Sequence, residues 1–231
     1  MSAIISLTTI PDRIEHIEPC ILSLVAQGLQ VYLWAVRKIA RSDTVLKGIP
    51  DYITRAGVHV KVVEDCGPIT KLLPALKIGF ETILTADDDC IYGTGWAERL
   101  LAWGERIPMA AIGYRGRILK GMGYADSRLV IKSRIKKATA VDIITGVYGA
   151  LYRRQSFDSG IFTEWKRWPM NDDMVITAHL KRRGVRRYVV PAKVKITDLK
   201  ARSIESLYKF NTHGKKLNDE GLEILHLEHK K

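Results

Sequence analysis

Short apolar segments alternate along the chain with segments of helical spacing. The apolar segments are rich in β-branched residues and are bounded by turn-forming residues, which is typical of short buried strands. We predict strands at Ala3 to Thr9, Val31 to Val36, Val58 to Val63, Thr82 to Ala86, Met109 to Gly113, Ala140 to Ile144, Gly146 to Arg154 and Arg187 to Pro191.

Helices are predicted between these strands. The first begins near Pro19, a residue suited to the first helical position, and ends at Gly28. The remaining helices are expected from Thr70 to Ile78, from Trp96 to Trp103, from Asp172 or Asp173 to Arg183, and in the tail after Arg202.

Strands that alternate with helices predict a Rossmann-like α/β fold, with a single domain and a mainly parallel sheet flanked by helices. In such sheets, ligands bind beyond the carboxyl ends of the strands. The basic, glycine-rich stretch from Tyr114 to Thr139 shows no clean periodicity. We therefore expect a mobile loop there.

Composition adds a strongly basic character to this picture. The 231 residues are 46% hydrophobic and 27% charged, an ordinary globular mix, but the formal net charge is +12. Basic residues concentrate between Arg115 and Lys137 and again between Lys181 and Arg187. The charge implies an anionic partner, and nucleic acid, anionic lipid headgroups and phosphorylated substrates all remain open. A solvated helix face is an equally good explanation of the second cluster.

The cysteines and the first residues bear on the compartment. Cys20, Cys66 and Cys90 have no Cys-x-x-Cys spacing, so neither a disulfide framework nor a zinc site is indicated. The first residues lack a basic segment and a cleavage site, and no apolar run reaches the roughly 20 residues that cross a bilayer. We expect a cytoplasmic protein, and peripheral contact with an anionic membrane surface stays open.

Three consecutive carboxylates, Asp87, Asp88 and Asp89, follow the predicted strand Thr82 to Ala86. Neighbouring carboxylates disfavour one another's ionisation, and a divalent cation resolves that conflict. Oxygen ligands select hard ions, so Mn²⁺ or Mg²⁺ is the expected cofactor. Asp87 and Asp89 can point the same way as alternate residues, and we predict that they contact the metal. An acidic surface turn or a helix cap is the alternative.

Two further segments carry candidate chemistry. A Gly-Pro turn after Asp65 leads into Thr70 and Lys71, and a helix start with a lysine favours phosphate. Thr70 as a simple cap and Lys71 as a solvated side chain are the alternatives, and Asp65 is a candidate for a base or ribose edge. Asp172 and Asp173 open a helix, where a carboxylate can act as general base or simply cap the helix.

Other side chains are less specific. His213, in the tail, is a candidate metal ligand, although a lone histidine is more often solvated or satisfied locally. Trp165 and Trp168 suit either stacking on a sugar ring or core packing.

Taken in order, these segments resemble the GT-A nucleotide-sugar glycosyltransferases, particularly the family-2-like proteins of bacteria and large viruses. Ser6 to Arg13 resembles their first strand and nucleotide-binding turn, and Asp87 to Asp89 resembles their Asp-x-Asp motif. Gly146 to Arg154 is similar to their acceptor-side glycine-rich strand. Asn171 to Asp173, with the helix and the strand to Pro191, resembles the acidic pair that carries the catalytic base in inverting members.

The resemblance implies a metal-dependent, inverting hexosyltransferase that uses a nucleoside diphosphate sugar, UDP-sugar by analogy, and a glycan or lipid-linked hydroxyl acceptor. It implies a GT-A catalytic domain over residues 1–200, with a nucleotide-sugar half at about 1–90, an acceptor half at about 91–200 and a helical tail at 201–231. Asp173, or Asp172, is the implied base, although the family usually has glutamate first in this pair. Metal contacts fall on Asp89 and Asp87, and the basic stretch from Tyr114 to Thr139 would close over the donor or receive an anionic acceptor. Donor contacts are assigned to Thr8, Thr9, Pro11, Arg13, Asp65, Lys71, Asp87 and Asp88.

Two other functions fit parts of the sequence. A nucleotidyltransferase acting on sugar phosphates would also use a strand-end carboxylate cluster, but the chain lacks a glycine- and arginine-rich loop after the first strand. A basic nucleic-acid-binding module would use the positive charge. The aromatic residues of this chain do not interleave with its basic clusters, so we expect no nucleic acid partner.

Overall fold

A nine-stranded sheet organises the part of the chain described by the computed structural model, namely residues 3–39, 44–121, 123–199, 218–219 and 221–222. The strands are β1 (Ala3–Thr9), β2 (Gln30–Val36), β3 (His59–Val63), β4 (Thr82–Ala86), β5 (Cys90–Tyr92), β6 (Ala111–Ile118), β7 (Arg128–Ile131), β8 (Thr139–Ala140), β9 (Ile143–Arg153), β10 (Arg187–Val189) and β11 (Ile196–Asp198). The helices are α1 (Glu18–Val25), α2 (Asp51–Arg55), α3 (Leu73–Ile78), α4 (Trp96–Arg106), α5 (Ile161–Glu164) and α6 (Asp172–Arg182).

The sheet has the strand order β3-β2-β1-β4-β9-β6-β10-β8, with β7 paired to β6, while β5 and β11 form a separate ribbon. The first four strands in this order are parallel, and β9 joins both β4 and β6 in antiparallel fashion. Helices cover the sheet, and the predicted α/β class is therefore confirmed.

Strands β1, β2 and β4 are largely buried on both faces, which explains their nearly continuous apolar sequences, whereas the edge strand β3 is mostly exposed. Adjacent residues of β1 point to opposite faces, so Ile4 and Ile5 belong to two different core clusters, and both are fully buried. On one face Ile5 packs with Leu33 and Leu84, and on the other Ile4 packs with residues that include Trp34. The two clusters fix the carboxyl ends of β1 and β4 side by side.

The stretch from Tyr114 to Thr139, expected to be a mobile loop because it lacks clean periodicity, contains strands in its described part. β6 extends to Ile118, and β7 pairs with it in antiparallel register, Arg115 opposite Ile131. Tyr114 and Gly116 are buried while the alternating Arg115 and Arg117 are partly exposed. The strand was not recognised in the sequence because arginines on one of its faces obscure the alternation of apolar and polar residues.

Other element boundaries differ from those predicted. Ile143 to Arg153 forms one long strand, in which Tyr148 and Gly149 have positive φ values of 71° and 99°. Trp96 explains the glycine, because a Cβ on Gly149 would lie 2.4 Å from its ring. The helix expected from Thr70 is divided into a short 3₁₀ turn and α3. Most of the predicted helical tail lies outside the described residues.

Helix α6 follows the sequence signals closely. Its N-cap Asn171 accepts a hydrogen bond from the Met174 amide, and Gly184 beyond its end has a φ of 67°. Within the described residues, no helix is long and apolar enough to cross a membrane.

Candidate active site

A cavity of about 380 Å³ opens at the carboxyl ends of β1 and β4, where parallel sheets usually bind ligands. It collects segments that are far apart in the sequence. The predicted site residues that line it are Thr8, Thr9, Arg13, Asp65, Lys71, Asp87, Asp88, Asp89, Asp172 and Asp173.

Two predicted residues stand apart from this group. Pro11 is buried beneath the turn after β1 and does not line the cavity. Because Pro11 is buried and does not line this cavity, its donor contact stays a prediction. His213, the predicted late metal ligand, lies outside the described residues.

Asp88 holds the turn that follows β1. Its carboxylate accepts hydrogen bonds from the Thr9 hydroxyl at 2.7 Å and from the Arg13 guanidinium at 2.8 Å. The residue is only 6% exposed. Because both oxygens are engaged and the side chain is buried, Asp88 acts as the anchor between the two strand ends.

Lys71 joins the carboxylates of two distant elements. Its Nζ donates to Oδ1 of Asp87 at 2.8 Å and lies 3.0 Å from Oδ2 of Asp172. Oδ2 of Asp172 has no geometrically good hydrogen bond, so the second contact is an ion pair only. Burial lowers the pKa of Lys71, but Asp172, Asp87 and Asp173 together outweigh it and raise the pKa well above its ordinary value.

Asp173 lies beside this ion pair and is held by the backbone of β9. Its Oδ1 accepts a hydrogen bond from the Gly146 amide at 2.7 Å. Burial, and after it the charge of Asp172, raise the pKa of Asp173 to about 7, against the opposing effects of Lys71 and the Gly146 amide. A carboxylate with such a pKa can exchange a proton near neutral pH.

Asp89 is the most exposed carboxylate of the strand-end cluster, with 45% of its side chain accessible. Its nearest cation is Arg13, at 3.7 Å. Burial, followed by Asp87 and Asp88, raises the pKa of Asp89 to about 6. The local excess of negative charge is the condition that a bound cation relieves.

The donor set fits a hard divalent cation held by few protein ligands. Within the described residues, no group of three or more His, Cys, Asp or Glu side chains could hold a metal ion. Mg²⁺ is commonly bound by one or two carboxylates, with substrate phosphates completing its shell. Asp89 and the second oxygen of Asp87 can supply that pair, since Lys71 contacts Oδ1 of Asp87.

The Gly-Pro turn packs against the loop that precedes α6. Oδ1 of Asp65 accepts a hydrogen bond from the Gly67 amide at 2.7 Å. Gly67 has a φ of 72°, and a Cβ on it would lie 1.9 Å from the carbonyl oxygen of Pro169. Glycine is required there by both conformation and space. The contact keeps the wall that contains Asp65 close to the start of α6.

Several residues of the cavity wall were not predicted individually, although Arg115, Arg117 and Tyr124 belong to the basic stretch that was expected to close over the donor or receive an anionic acceptor. Arg115, Arg117 and Tyr124 line the cavity, and so do Asp198 and Asn218. The alternation of Arg115 and Arg117 with Tyr114 and Gly116 was the sequence signal that could have placed both arginines on one face of a strand. By contrast, Trp165 and Trp168 do not line the cavity and are packed against a core cluster, which favours their structural role.

Comparisons with known proteins identify relatives of the fold. No protein-family model and no curated protein matches the chain. The chain is similar to the structure of S. aureus TarS, with 15% identity over 86% of this chain and 37% of that chain and a TM-score of 0.52. It is also similar to S. aureus TarS 1-349 in complex with UDP-GlcNAc, with 16% identity over 90% of this chain and 61% of that chain and a TM-score of 0.55. For the complex of S. aureus TarS 1-349 with UDP, the identity is 16% over 84% of this chain and 59% of that chain, with a TM-score of 0.52.

This chain thus spans 37% to 61% of the length of these three structures. At such low identity the similarity concerns the fold, and it confirms the single-domain GT-A architecture expected from the sequence.

Proposed function

We propose that this protein is a glycosyltransferase that moves a sugar from a nucleoside diphosphate sugar to an acceptor hydroxyl, with a divalent cation and with inversion. One observation carries the proposal: in a single cavity, Lys71 joins the strand-end carboxylate Asp87 to the helix-start carboxylate Asp172. The similarity in fold to TarS 1-349, solved with UDP-GlcNAc and with UDP, supports a nucleotide sugar and favours a uridine nucleotide.

The donor side is built on the ends of β1 and β4. Asp88 holds Thr9 and Arg13 in fixed positions, so the wall facing the nucleotide is organised before the donor arrives. Asp89 and Asp87 would hold Mn²⁺ or Mg²⁺, which, when bound, supplies positive charge to offset that of the leaving diphosphate. Lys71 is already engaged by two carboxylates, and we assign it to positioning Asp87 and Asp172.

The acceptor side is built on α6 and β9. Asp173 is fixed through one oxygen by the Gly146 amide, which leaves its other oxygen for the acceptor hydroxyl. A pKa of about 7 suits a general base at neutral pH, because a large fraction of the carboxylate is ionised while its affinity for a proton is still high.

The stereochemical proposal follows from this separation of roles. The base belongs to the start of α6 and the diphosphate site to the end of β4, with Lys71 between them. A hydroxyl activated at Asp173 would attack the sugar from the side opposite the leaving diphosphate. Direct displacement of this kind inverts the anomeric centre, and the acceptor would be a hydroxyl of a glycan or glycolipid.

The test combines donor turnover with product identification. The wild-type protein is incubated with UDP-sugars and Mn²⁺, and released UDP is measured with and without a chelator. Asp89→Ala should abolish the metal-dependent release, whereas Asp51→Ala, an exposed carboxylate in α2, should leave it unchanged.

Unchanged metal-dependent release by Asp89→Ala would contradict the assigned cation site. Release of pyrophosphate instead of UDP, from a sugar phosphate and a nucleoside triphosphate, would establish nucleotidyl transfer. Tight, salt-sensitive binding of oligonucleotides without affinity for UDP-sugars would establish a nucleic-acid-binding protein.

A further inference from the structure

Two arginines of β6 face the cavity from its acceptor side. Arg115 and Arg117 are separated by one residue, so they project from the same face of the strand, and both line the cavity. They are partly buried, in contrast to the exposed Arg128 at the start of the neighbouring strand β7. A pair of guanidinium groups inside a cavity requires an explanation, because burying charge without a partner is costly.

Two other cations that line the cavity are paired with carboxylates, whereas Arg115 and Arg117 are not paired within the described residues. Arg13 contacts Asp88, and Lys71 contacts Asp87 and Asp172. Among the described residues, neither Arg115 nor Arg117 forms an ion pair with a carboxylate. Within the described part of the chain, no carboxylate therefore neutralises their positive charge.

Arg117 is nevertheless held in one orientation. Its Nη1 donates to the Ser127 hydroxyl at 2.9 Å, and its guanidinium lies over the Tyr124 ring, 4.4 Å from the centroid. Its Nε is buried and has no hydrogen-bond partner. The side chain is therefore ordered at the cavity wall without a carboxylate partner among the described residues.

The position of the pair assigns it to the acceptor and not to the donor. Arg115 lies opposite Thr145 of β9, and Thr145 precedes Gly146, whose amide holds Asp173. The strand β9 lies between β6 and β4, which places β6 about 10 Å from β4 at the usual strand spacing. The arginines are thus neighbours of the proposed base, two strands away from the strand that ends in Asp87 to Asp89.

We propose that Arg115 and Arg117 form a subsite for an oxyanion, a phosphate or a carboxylate, carried by the acceptor close to its attacking hydroxyl. Guanidinium groups bind such anions through paired N–H donors, and two of them without carboxylate partners line this cavity side by side. This inference rests on the proposed function, and it narrows the acceptor class to anionic glycans and phosphorylated hydroxyl compounds.

The test uses inorganic phosphate as the probe, with no divalent cation present, and follows binding by ³¹P NMR titration. Without metal, Arg13 and Lys71 are neutralised by their carboxylates and should attract little phosphate. Wild type and Arg128→Gln should bind phosphate equally, and the double variant Arg115→Gln with Arg117→Gln should bind it at least about tenfold more weakly. Equal binding by the double variant, or no binding by wild type, would overturn the subsite.

A second arm separates acceptor from donor. Affinity for UDP with Mn²⁺ should be the same in all variants, and a parallel loss of UDP and phosphate binding would reassign the arginines to the donor. Should wild type bind phosphate but not UDP, the proposed function fails while the oxyanion site stands.

The double variant also needs a check on folding by circular dichroism. If it does not fold, Arg115→Gln alone decides the question, since Arg117 then keeps its contacts with Ser127 and Tyr124. Phosphate binding by that variant at wild-type strength would count against the subsite.

Discussion

The two carboxylate clusters of the cavity share a shortage of positive charge but differ in their surroundings. At the end of β4, Lys71 and Arg13 contact Asp87 and Asp88, and Asp89 is left with a cation only at 3.7 Å. At the start of α6, the same Lys71 contacts Asp172, and Asp173 is held by a backbone amide. In each cluster, the carboxylate without a close cation has a raised pKa, about 6 for Asp89 and about 7 for Asp173.

The difference between these two carboxylates suggests why one cavity can hold two kinds of chemistry. Asp89 is nearly half exposed and adjoins another carboxylate that has a second oxygen, so it can share a cation. Asp173 is partly buried and has one oxygen fixed, so it is better suited to exchange a proton. Exposure to solvent, and not residue type, distinguishes the two carboxylates for which we propose these roles.

The largest expected effect comes from removing the proposed base. Asp173→Asn keeps an oxygen that can accept from the Gly146 amide but cannot take up a proton. We expect kcat to fall by about 10²- to 10⁴-fold, the usual contribution of a general base, with the affinity for UDP and Mn²⁺ retained. Initial rates and UDP titrations measure the two quantities, and a kcat within a few fold of wild type would show that Asp173 is not the base.

A second large effect should follow from breaking the link between the clusters. Only 8% of the Lys71 side chain is exposed, and Lys71→Met leaves Asp87 and Asp172 without their shared cation. Removal of one partner from a buried ion pair typically costs 3–5 kcal/mol, so we expect the free energy of unfolding to fall by about 3 kcal/mol. Urea denaturation at neutral pH measures this loss.

Lys61→Met, at an exposed position in β3, is the matched control and should change stability little. The loss caused by Lys71→Met should shrink at acidic pH, because the stranded carboxylates become protonated. A loss that is small at neutral pH would mean that the two clusters are held together by other contacts.

Both clusters could be located from the sequence, because their signals are local. The buried strand Thr82 to Ala86 delivers three carboxylates directly to a sheet edge, and Asn171 is a good N-cap immediately before Asp172 and Asp173. Neither conclusion needs knowledge of distant parts of the chain.

What could not be predicted depends on contacts between distant residues. Lys71 looks like a helix-start residue in the sequence, and its two carboxylate partners become visible only in the fold. The positive φ values at Tyr148 and Gly149 of β9 occur where the strand packs against Trp96, whose indole N–H donates to the Tyr148 carbonyl. The pairing of β6 with β7 was concealed by arginines that face a polar cavity.

The pH dependence of stability should separate Asp173 from Asp89. Both pKa values are raised above the usual carboxyl value near 3.9, so the folded protein holds protons that the unfolded chain has lost. Unfolding then releases protons, and the free energy of unfolding falls as pH rises from about 4 to about 7, by up to roughly 1.4 kcal/mol per pH unit for Asp173. Because Asp89 is more exposed and its pKa is lower, its share should be smaller.

We therefore expect Asp173→Asn to flatten this slope more than Asp89→Asn, with Asp51→Asn leaving it unchanged. Thermal or urea unfolding between pH 4 and pH 8 measures the slopes. A larger effect of Asp89→Asn would reverse the assignment of the two carboxylates.

The smallest expected effect concerns the helix N-cap, which supports Asp172 and Asp173 but has no counterpart at the end of β4. The Asp87 to Asp89 cluster follows a strand held by sheet hydrogen bonds, whereas α6 begins with a cap in which Oδ1 of Asn171 accepts from the Met174 amide at 3.4 Å. Loss of an N-cap costs about 0.5–2 kcal/mol, and the long distance favours the lower end, so Asn171→Ala should reduce stability by roughly 0.5–1 kcal/mol.

Asn171 also donates from Nδ2 to Oδ1 of Asn218 at 3.0 Å, and two further variants separate this contact from the cap. Asn171→Ser keeps a capping oxygen but loses the amide donor, while Asn218→Ala removes only the second contact. Melting temperatures compare the variants. If the cap dominates, Asn171→Ser should have a melting temperature close to that of wild type, and Asn218→Ala should lower the melting temperature only slightly. If Asn218→Ala instead matches Asn171→Ala, the start of α6 is held by its contact with Asn218, and the two carboxylate clusters differ less in their local support than the cap implies.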